Sequence, residues 1–406
     1  MKERIILHID VNNAFLSWTA VDMLKNGYKK DIRYEYAVIG GDESKRKGIV
    51  LAKSNPAKSK GVTTGEALYT AKKKCPYLNV YSPNFEIYRK YSDLMFRYLS
   101  KYTNVIERYS IDECFLDYSD LTTLYGDPIK TAYKIKDDIK KYLGFTVNVG
   151  IGNSKLCAKM ASDFSKPDKV HTLFNHEIES KMWPLDVSEM FMIGKKSTVK
   201  LKQLNIKTIY DLAHTDKKML EKIFKKMGTM MWEYANGIDN SNVEYEYENP
   251  KSISSSTVLP YNYTSLEEIF KTLKELSIET GSRLRKKKMY ANNVSVWLKY
   301  TNFEKVSKQL KLPNSISSDE DIYNTAISLF SSIWNEEAIR GLSVGVSDLS
   351  DKKNVQFSLF DSKNNEQDDK LQDAIDSIRN KYGNNFITYA NIMDKDISKD
   401  NKLHKK

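Results

Sequence analysis

The chain has 406 residues, 40% of them apolar and 11% aromatic, which excludes a disordered polymer and leaves room for roughly two to four domains with cores of their own. Its formal charge of +11 sets up a positive field that favours a polyanionic partner, nucleic acid or an anionic membrane surface. No apolar run, "MKERIILHID" included, is long enough for a signal sequence or a membrane span, so the expectation is a cytoplasmic, folded, multidomain protein with no membrane association. Cys75, Cys114 and Cys157 lie far apart without metal-ligand spacing, and read as reduced structural thiols.

The first predicted elements are a strand, a turn and a helix. "RIILHID" is a short apolar strand ending at Asp10, and "NAFLSWTAVDMLKNG" follows with helical periodicity, Asn12 or Asn13 as N-cap and Gly27 as the stop. An acid at the end of a buried strand, just before a helix N-terminus, sits where α/β proteins collect phosphates and metals; the plainer alternative is that Asp10 helps to cap the helix. Further on, "YSIDECFLDYSD" places Asp112, Glu113 and Asp117 among strand-forming residues, where each bare buried charge costs several kcal/mol. Two strands meeting at a tight turn, with Asp112 and Glu113 at or near its apex, let both carboxylates converge. The occupant that suits such a convergence is a hard divalent cation, Mg²⁺ above all, held by a few carboxylates and substrate phosphates. An exposed hairpin tip with ordinary solvated acids is the competing reading.

The helical spacing around "IGKKS" in "VSEMFMIGKKSTVKLKQLNIKTIYDLA" predicts a helix–hairpin–helix whose glycine turn, Gly194, presents backbone N–H groups to a phosphate, with Lys195 and Lys196 adding charge. "NSNVEYEYENP", residues 240–250, is acidic and aperiodic, and predicts an exposed tether. After it come "KSISSSTVLP", an amphipathic helix ending in "RLRKKKM", the alternating "NNVSVWLKYTNF", a helix near "IYNTAISLFSSIW" and the last strand "GLSVGVSDL".

Five pieces in order, "HIDVNNAF", "YSIDECFLD", "VNVGIGNSKLCAKMASDFSKPDK", "KSISSSTVLP" and "VGVSDLS", resemble the Y-family translesion DNA polymerases of bacteria and archaea, the resemblance covering about residues 5 to 360. "VLAKSNPAKSKGV" resembles the catalytic subunit of bacterial polymerase V more than polymerase IV. The resemblance implies a multidomain α/β and α+β fold shaped like a right hand: palm at 1–17 and 81–170, fingers at 18–80, thumb at 171–239, linker at 240–250, a little finger of strand–helix–strand–strand–helix–strand pattern at 251–350, a clamp-binding peptide at 355–361 and a tail at 362–406. It implies low-fidelity, template-directed DNA synthesis past damaged bases, in DNA repair and the SOS response, by a monomeric catalytic chain associated with the nucleoid.

Carried over residue by residue, the resemblance makes Asp10, Asp112 and Glu113, with the main-chain carbonyl of Val11, the ligands of two Mg²⁺ ions, Mn²⁺ being the substitute. Phe15 is then the aromatic gate under the incoming sugar. Lys58 and Lys166 meet the triphosphate, with Asn13 and Asn55 beside it; Asn55 and Lys58 stand where the family often has tyrosine and arginine. Ile49 and Gly65 lie over or beside the templating base, and nothing else in the chain resembles a proofreading site. Gly194, Lys195, Lys196, Lys251, Ser254, Arg283, Arg285 and Lys287 contact the phosphates of primer-template DNA, positioning without reading sequence. In "VQFSLFDS", Gln356, Phe357, Leu359 and Phe360 resemble the peptide that docks on the sliding clamp, the β subunit of the replicative polymerase. Two other classes compete: a non-catalytic DNA-binding scaffold with a polymerase-like fold, and another two-metal enzyme such as a nuclease or nucleotidyl cyclase.

Overall fold

Strand alternation sends the residues of "ILHIDV" to two faces with different surroundings. The computed structural model describes residues 4–44, 46, 48–245, 249–352, 365–382 and 387. They belong to two units, Met1–Gly41 with Gly48–Tyr247 and Asp42–Lys47 with Glu248–Lys406. In chain order the first unit runs β1 (Ile6–Val11), α1 (Ala14–Lys25), β2 (Ala37–Gly40), β3 (Val50–Lys53), α2 (Asn55–Ser59), α3 (Leu68–Lys74), β4 (Asn79–Tyr81), α4 (Phe85–Leu99), β5 (Ile106–Arg108), β6 (Glu113–Asp117), α5 (Thr122–Tyr125), α6 (Pro128–Asp138), β7 (Val147–Gly152), α7 (Lys155–Asp163), β8 (Val170–Leu173), α8 (Lys195–Gln203), α9 (Ile209–Ala213), α10 (Lys217–Phe224) and α11 (Lys226–Ala235).

Among the described residues, this unit holds two sheets. The larger has the order β5-β6-β1-β7-β8, so β1 is central. Leu7, Ile9 and Val11 point into the main core with Cys114, Leu116, Trp18, Tyr91 and Phe145. Ile6 points the other way, into a small cluster with Phe115, Ala158 and Val243, and by alternation His8 and Asp10 share that second face. The smaller sheet, β3-β2-β4, covers its own core of Val38, Val50, Ala57, Val62 and Leu68. The short helices α8 to α11 close on Leu201, Ile209, Leu212, Leu220 and Met231. Cys75, Cys114 and Cys157 are free thiols, all buried.

Asn13 is the N-cap of α1, as expected, in a left-handed backbone conformation and without a side-chain capping bond. One other local expectation is met only in part. Residues 240–250 are expected as an exposed tether, and 240–242, 244 and 245 are exposed, but the segment is also fastened to the first unit at a few points. Val243 is buried, Arg4 Nη2 donates to the Ser241 carbonyl at 2.7 Å, and the Glu244 N–H donates to Glu107 Oε2 at 2.8 Å. One apolar side chain and a few backbone partners hold a segment whose composition reads as solvated.

The second unit contains β9 (Ser252–Tyr263), α12 (Leu266–Lys286), β10 (Tyr290–Tyr300), β11 (Lys305–Ile316), α13 (Asp319–Ser331), β12 (Ile339–Ser350) and α14 (Asn365–Tyr382). The strand–helix–strand–strand–helix–strand pattern is the one expected, in an antiparallel sheet of order β11-β10-β12-β9. The core joins Leu273, Leu276 and Leu284 of α12 to Val294, Phe330 and Val344.

Arg285, expected on DNA, is used inside this unit instead. Its guanidinium reaches Asp376 of α14 at 2.6 Å and Asp319 at 2.9 Å and donates to the Ser317 carbonyl at 2.6 Å. Asp319 is fully buried, and a Cβ on Gly281 would come within 2.5 Å of its Oδ1, so glycine leaves room for the pair. A phosphate cannot compete for a fork already spent on two carboxylates. Arg285→Met should therefore destabilise this unit by about 2 kcal/mol, because Asp376 and Oδ1 of the buried Asp319 lose their partner while Arg379 keeps Oδ2 at 3.3 Å; urea unfolding of the full chain, followed by tryptophan fluorescence, checks it.

Candidate active site

The centre is assembled by strand register. β1 and β6 pair antiparallel with Asp10 directly opposite Glu113, and His8 opposite Phe115. The turn between β5 and β6 is held by Ser110, whose Oγ donates to Asp112 Oδ1 at 2.6 Å and accepts the Glu113 N–H at 3.1 Å. The Asp112 carbonyl accepts the Val11 N–H at 3.0 Å, which ties the turn to the end of β1. Asp112 is thus the last turn residue and Glu113 the first of β6, as a tight turn with the acids near its apex requires. The reading of Asp10 as a helix cap does not hold, since Asp10 faces Glu113.

Helix α7 lies over this face because β7 carries glycine beneath it: a Cβ at Gly150 would be 2.0 Å from the Ala158 carbonyl oxygen. Ser154 caps the helix by accepting the Cys157 N–H. The close approach brings Lys159 Nζ to 2.7 Å from Glu113 Oε2 and 3.4 Å from Asp10 Oδ2. Lys166 Nζ stands 3.1 Å from Asp10 Oδ2 and 2.8 Å from Asp163. On the buried side, His8 Nε2 is 3.1 Å from Glu113 Oε2, and its Nδ1 is 2.8 Å from Ser162 Oγ.

These neighbours set the charges. Burial opposes ionisation of Glu113, but hydrogen bonds with His8 and Lys159 outweigh it and bring the carboxyl down to about 2. Burial raises Asp112 above the ordinary carboxylate range, with the charges of Asp10 and Glu113 adding to the effect. Burial works against the Lys159 ammonium too, yet Asp10 and Glu113 hold it protonated well beyond the usual lysine range. His8 is pushed down by its burial.

Of the expected ligands, Asp10 and Glu113 offer oxygens to a common centre; with His8, their ligand atoms lie within 4.8 Å of one another. Asp112 stands beside them in the turn, its carboxylate turned to Ser110. The oxygen donors and half-buried setting fit a hard divalent cation. His8 and Lys159 were missed in the sequence. The signal for His8 was its i−2 spacing from Asp10 on one strand face; for Lys159 it was its i, i+4 relation to Asp163 on α7.

Phe15, in the first turn of α1, is half-buried and stacked on Tyr88, with ring centroids 4.4 Å apart and 12° between planes. Asn13 and Asn55 are exposed, and Asn13 Nδ2 is 3.5 Å from Asn55 Oδ1. Both line a cleft of about 580 Å³ with Asn12, Arg33, Thr146 and Asp168. Lys58 is exposed on α2. Ile49 is exposed and bridges Ala67, and the Gly65 N–H donates to the Val50 carbonyl at 2.8 Å. Gly194 is the N-cap of α8 without a side-chain capping bond, and Lys195 and Lys196 are exposed at the same helix start. In the second unit Lys251, Ser254 and Lys287 are exposed, while Arg283 donates to the Ser254 carbonyl at 2.7 Å. Gln356, Phe357, Leu359 and Phe360 lie outside the described residues.

Comparison with known proteins bears on this arrangement directly. Residues 9–163 match the family model described as the impB/mucB/samB family, residues 250–359 its C-terminal domain, and residues 192–239 the thumb domain of DNA polymerase-iota. The chain is 48% identical to DNA polymerase IV of Clostridium acetobutylicum, over 97% of its own length and 99% of that protein. The chain belongs to the Y family of DNA polymerases. This Y-family polymerase is also 33% identical to DNA polymerase IV 1 of Bacillus subtilis, over 98% of this chain and 95% of that one. These relatives carry the polymerase IV name, against the leaning of "VLAKSNPAKSKGV" toward polymerase V. A solved Y-family DNA polymerase chimera of Dbh and Dpo4 shares the fold, with a TM-score of 0.73 at 24% identity, over 85% of this chain and 98% of the other. The Y-family polymerase is thus a DNA-directed DNA polymerase, an enzyme acting on DNA and deoxynucleoside triphosphates. No helix among its described residues is long and apolar enough to cross a membrane.

Proposed function

We propose that this polymerase extends a primer 3′ end across damaged template bases, with low fidelity and without proofreading, by in-line attack of the primer hydroxyl on the α-phosphate of a deoxynucleoside triphosphate, which breaks the α–β phosphoanhydride bond and releases pyrophosphate. The observation that carries the reading is the register that sets Asp10 opposite Glu113, with Lys166 Nζ 3.1 Å from Asp10. Asp10, Asp112, Glu113 and the Val11 carbonyl would hold two Mg²⁺ ions, or Mn²⁺. When bound, such a pair lowers the pKa of an attacking hydroxyl and neutralises charge on the triphosphate. Lys166 and Lys58 attract the phosphates, while Asn13 and Asn55 stand where they can donate to them. Phe15 closes the space beneath the sugar.

The same reading assigns palm, fingers, thumb, linker and little finger to the ranges given above. Backbone N–H groups at Gly194 and Lys195, with Lys196, Lys251, Ser254, Arg283 and Lys287, lie along DNA phosphates. Residues 355–361 dock on the sliding clamp, which raises the enzyme's effective concentration at the primer end. The chain works as a monomer in the cytoplasm, at the nucleoid.

A labelled primer on undamaged and lesion-bearing templates, with Mg²⁺ or with EDTA, tests this. Metal-dependent lengthening on both templates is the expected outcome. A shortened primer would instead indicate a nuclease, and DNA binding with no extension a scaffold. In the same assay, replacing Gln356, Leu359 and Phe360 by alanine, which spares α14 and its ion pairs with Arg285 and Asp319, should leave basal extension intact and remove stimulation by the clamp.

A further inference from the structure

Lys159 has no part in the reaction as proposed, yet its ammonium sits where a cation belongs. It is 2.7 Å from Glu113 Oε2, 3.4 Å from Asp10 Oδ2 and 3.5 Å from Asp163 Oδ2, and its side chain is only 12% exposed. Asp10 and Glu113 are similarly sheltered, at 15% and 17%. Two carboxylates placed opposite each other in this setting repel unless a positive charge stands between them. Lys166 touches only Asp10 of this pair, so Lys159 is the cation that serves both. His8 closes the inner side of Glu113, its Nε2 3.1 Å from Oε2.

We infer that Lys159 is a built-in counter-ion that fills the carboxylate centre when no metal is bound and must withdraw toward Asp163 before a divalent ion can enter. This rests on the metal-centre reading above. The place to withdraw to already exists: Asp163 lies one turn along α7 and is half-exposed, with Oδ1 held by Lys166 at 2.8 Å and Oδ2 3.5 Å from Lys159 Nζ, so a rotation of the lysine side chain would bring its ammonium onto Oδ2. An ammonium and a metal ion cannot share one carboxylate oxygen at close range, because each repels the other. A bare aqueous ion therefore competes with a covalently tethered cation whose local concentration is high. A nucleoside triphosphate changes the balance, since its negative charge gives the displaced lysine and the entering metals a common partner. Metal loading is then coupled to nucleotide arrival, and the empty centre stays neutralised between turnovers.

The test is Mn²⁺ binding by the full chain, read from the electron paramagnetic resonance signal of free Mn²⁺, without DNA and with or without a non-hydrolysable deoxynucleoside triphosphate analogue. Lys159→Met should bind Mn²⁺ about tenfold or more tightly than the wild type in the absence of nucleotide. Lys159→Arg, which keeps the charge, should stay weak. Asp163→Asn, which removes the place of withdrawal, should bind more weakly than the wild type without nucleotide. Near-ultraviolet circular dichroism verifies that each variant is folded; should Lys159→Met fail to fold, Lys159→Gln takes its place. Equal Mn²⁺ affinity for the wild type and the neutral variant would overturn the inference while leaving the metal centre intact. Failure of the metal-centre reading looks different: Mn²⁺ binding that Asp10→Asn and Glu113→Gln leave unchanged in every background.

Discussion

The double variant D112A/E113A should bind primer-template DNA as tightly as the wild type and extend it more than about 10³-fold more slowly at saturating Mg²⁺. The two residues occupy the end of the β5–β6 turn and the first position of β6. Glu113 faces Asp10 in register, and Asp112 is fixed beside it through Ser110. Removing both leaves Asp10 as the one remaining proposed side-chain ligand, too little to hold an ion that keeps few protein contacts. The fold should tolerate the change. Lys159 loses Glu113 but keeps Asp10 at 3.4 Å and Asp163 at 3.5 Å, so no cation is stranded. The residues proposed to meet DNA phosphates lie elsewhere, at α8 and in the second unit, which is why binding and chemistry should separate. Single-turnover extension and fluorescence anisotropy on one preparation make the comparison; extension within tenfold of the wild type would reject these two as ligands.

Phe15→Ala should lower discrimination against ribonucleoside triphosphates by about 100-fold or more, with a much smaller effect on deoxynucleotides. The ring cannot easily turn aside. It lies face to face with Tyr88 at 4.4 Å and edge-on to Phe85 at 6.0 Å, with Trp18 at 6.3 Å, and Tyr88 is itself fully buried. A wall braced this way excludes by shape, so a 2′-hydroxyl would meet a fixed surface, and alanine would leave space for it. The lost packing of a half-buried ring should cost only about 1–2 kcal/mol of stability. The ratio of kcat/KM for a deoxynucleotide to that for its ribonucleotide is the quantity to measure, and an unchanged ratio would remove Phe15 from the sugar site.

What could be read from the sequence was what local pattern encodes. Asp10 at a strand end, the acids at a turn and the order of elements in the second unit all follow from periodicities of two or 3.6 residues and from turn chemistry. What escaped depends on partners far apart in the chain. Lys159 and Glu113 are separated by 46 residues, and only the glycine-permitted descent of α7 onto β7 joins them. Arg285 meets Asp376 across 91 residues, so within "RLRKKK" it is indistinguishable from its exposed neighbours. Val243 is one apolar residue in an acidic stretch, too little pattern to show that residues 240–245 are docked. The N-cap of α1 was legible as Asn13, but its left-handed backbone, which asparagine tolerates, was not.

All three native thiols are sealed from solvent, which makes the folded enzyme a silent background for maleimide chemistry. One cysteine introduced at an exposed position of each unit would carry a donor and an acceptor dye without first removing Cys75, Cys114 or Cys157. Conversely, slow labelling of the native thiols becomes a clock for transient opening of the first unit, to which all three belong.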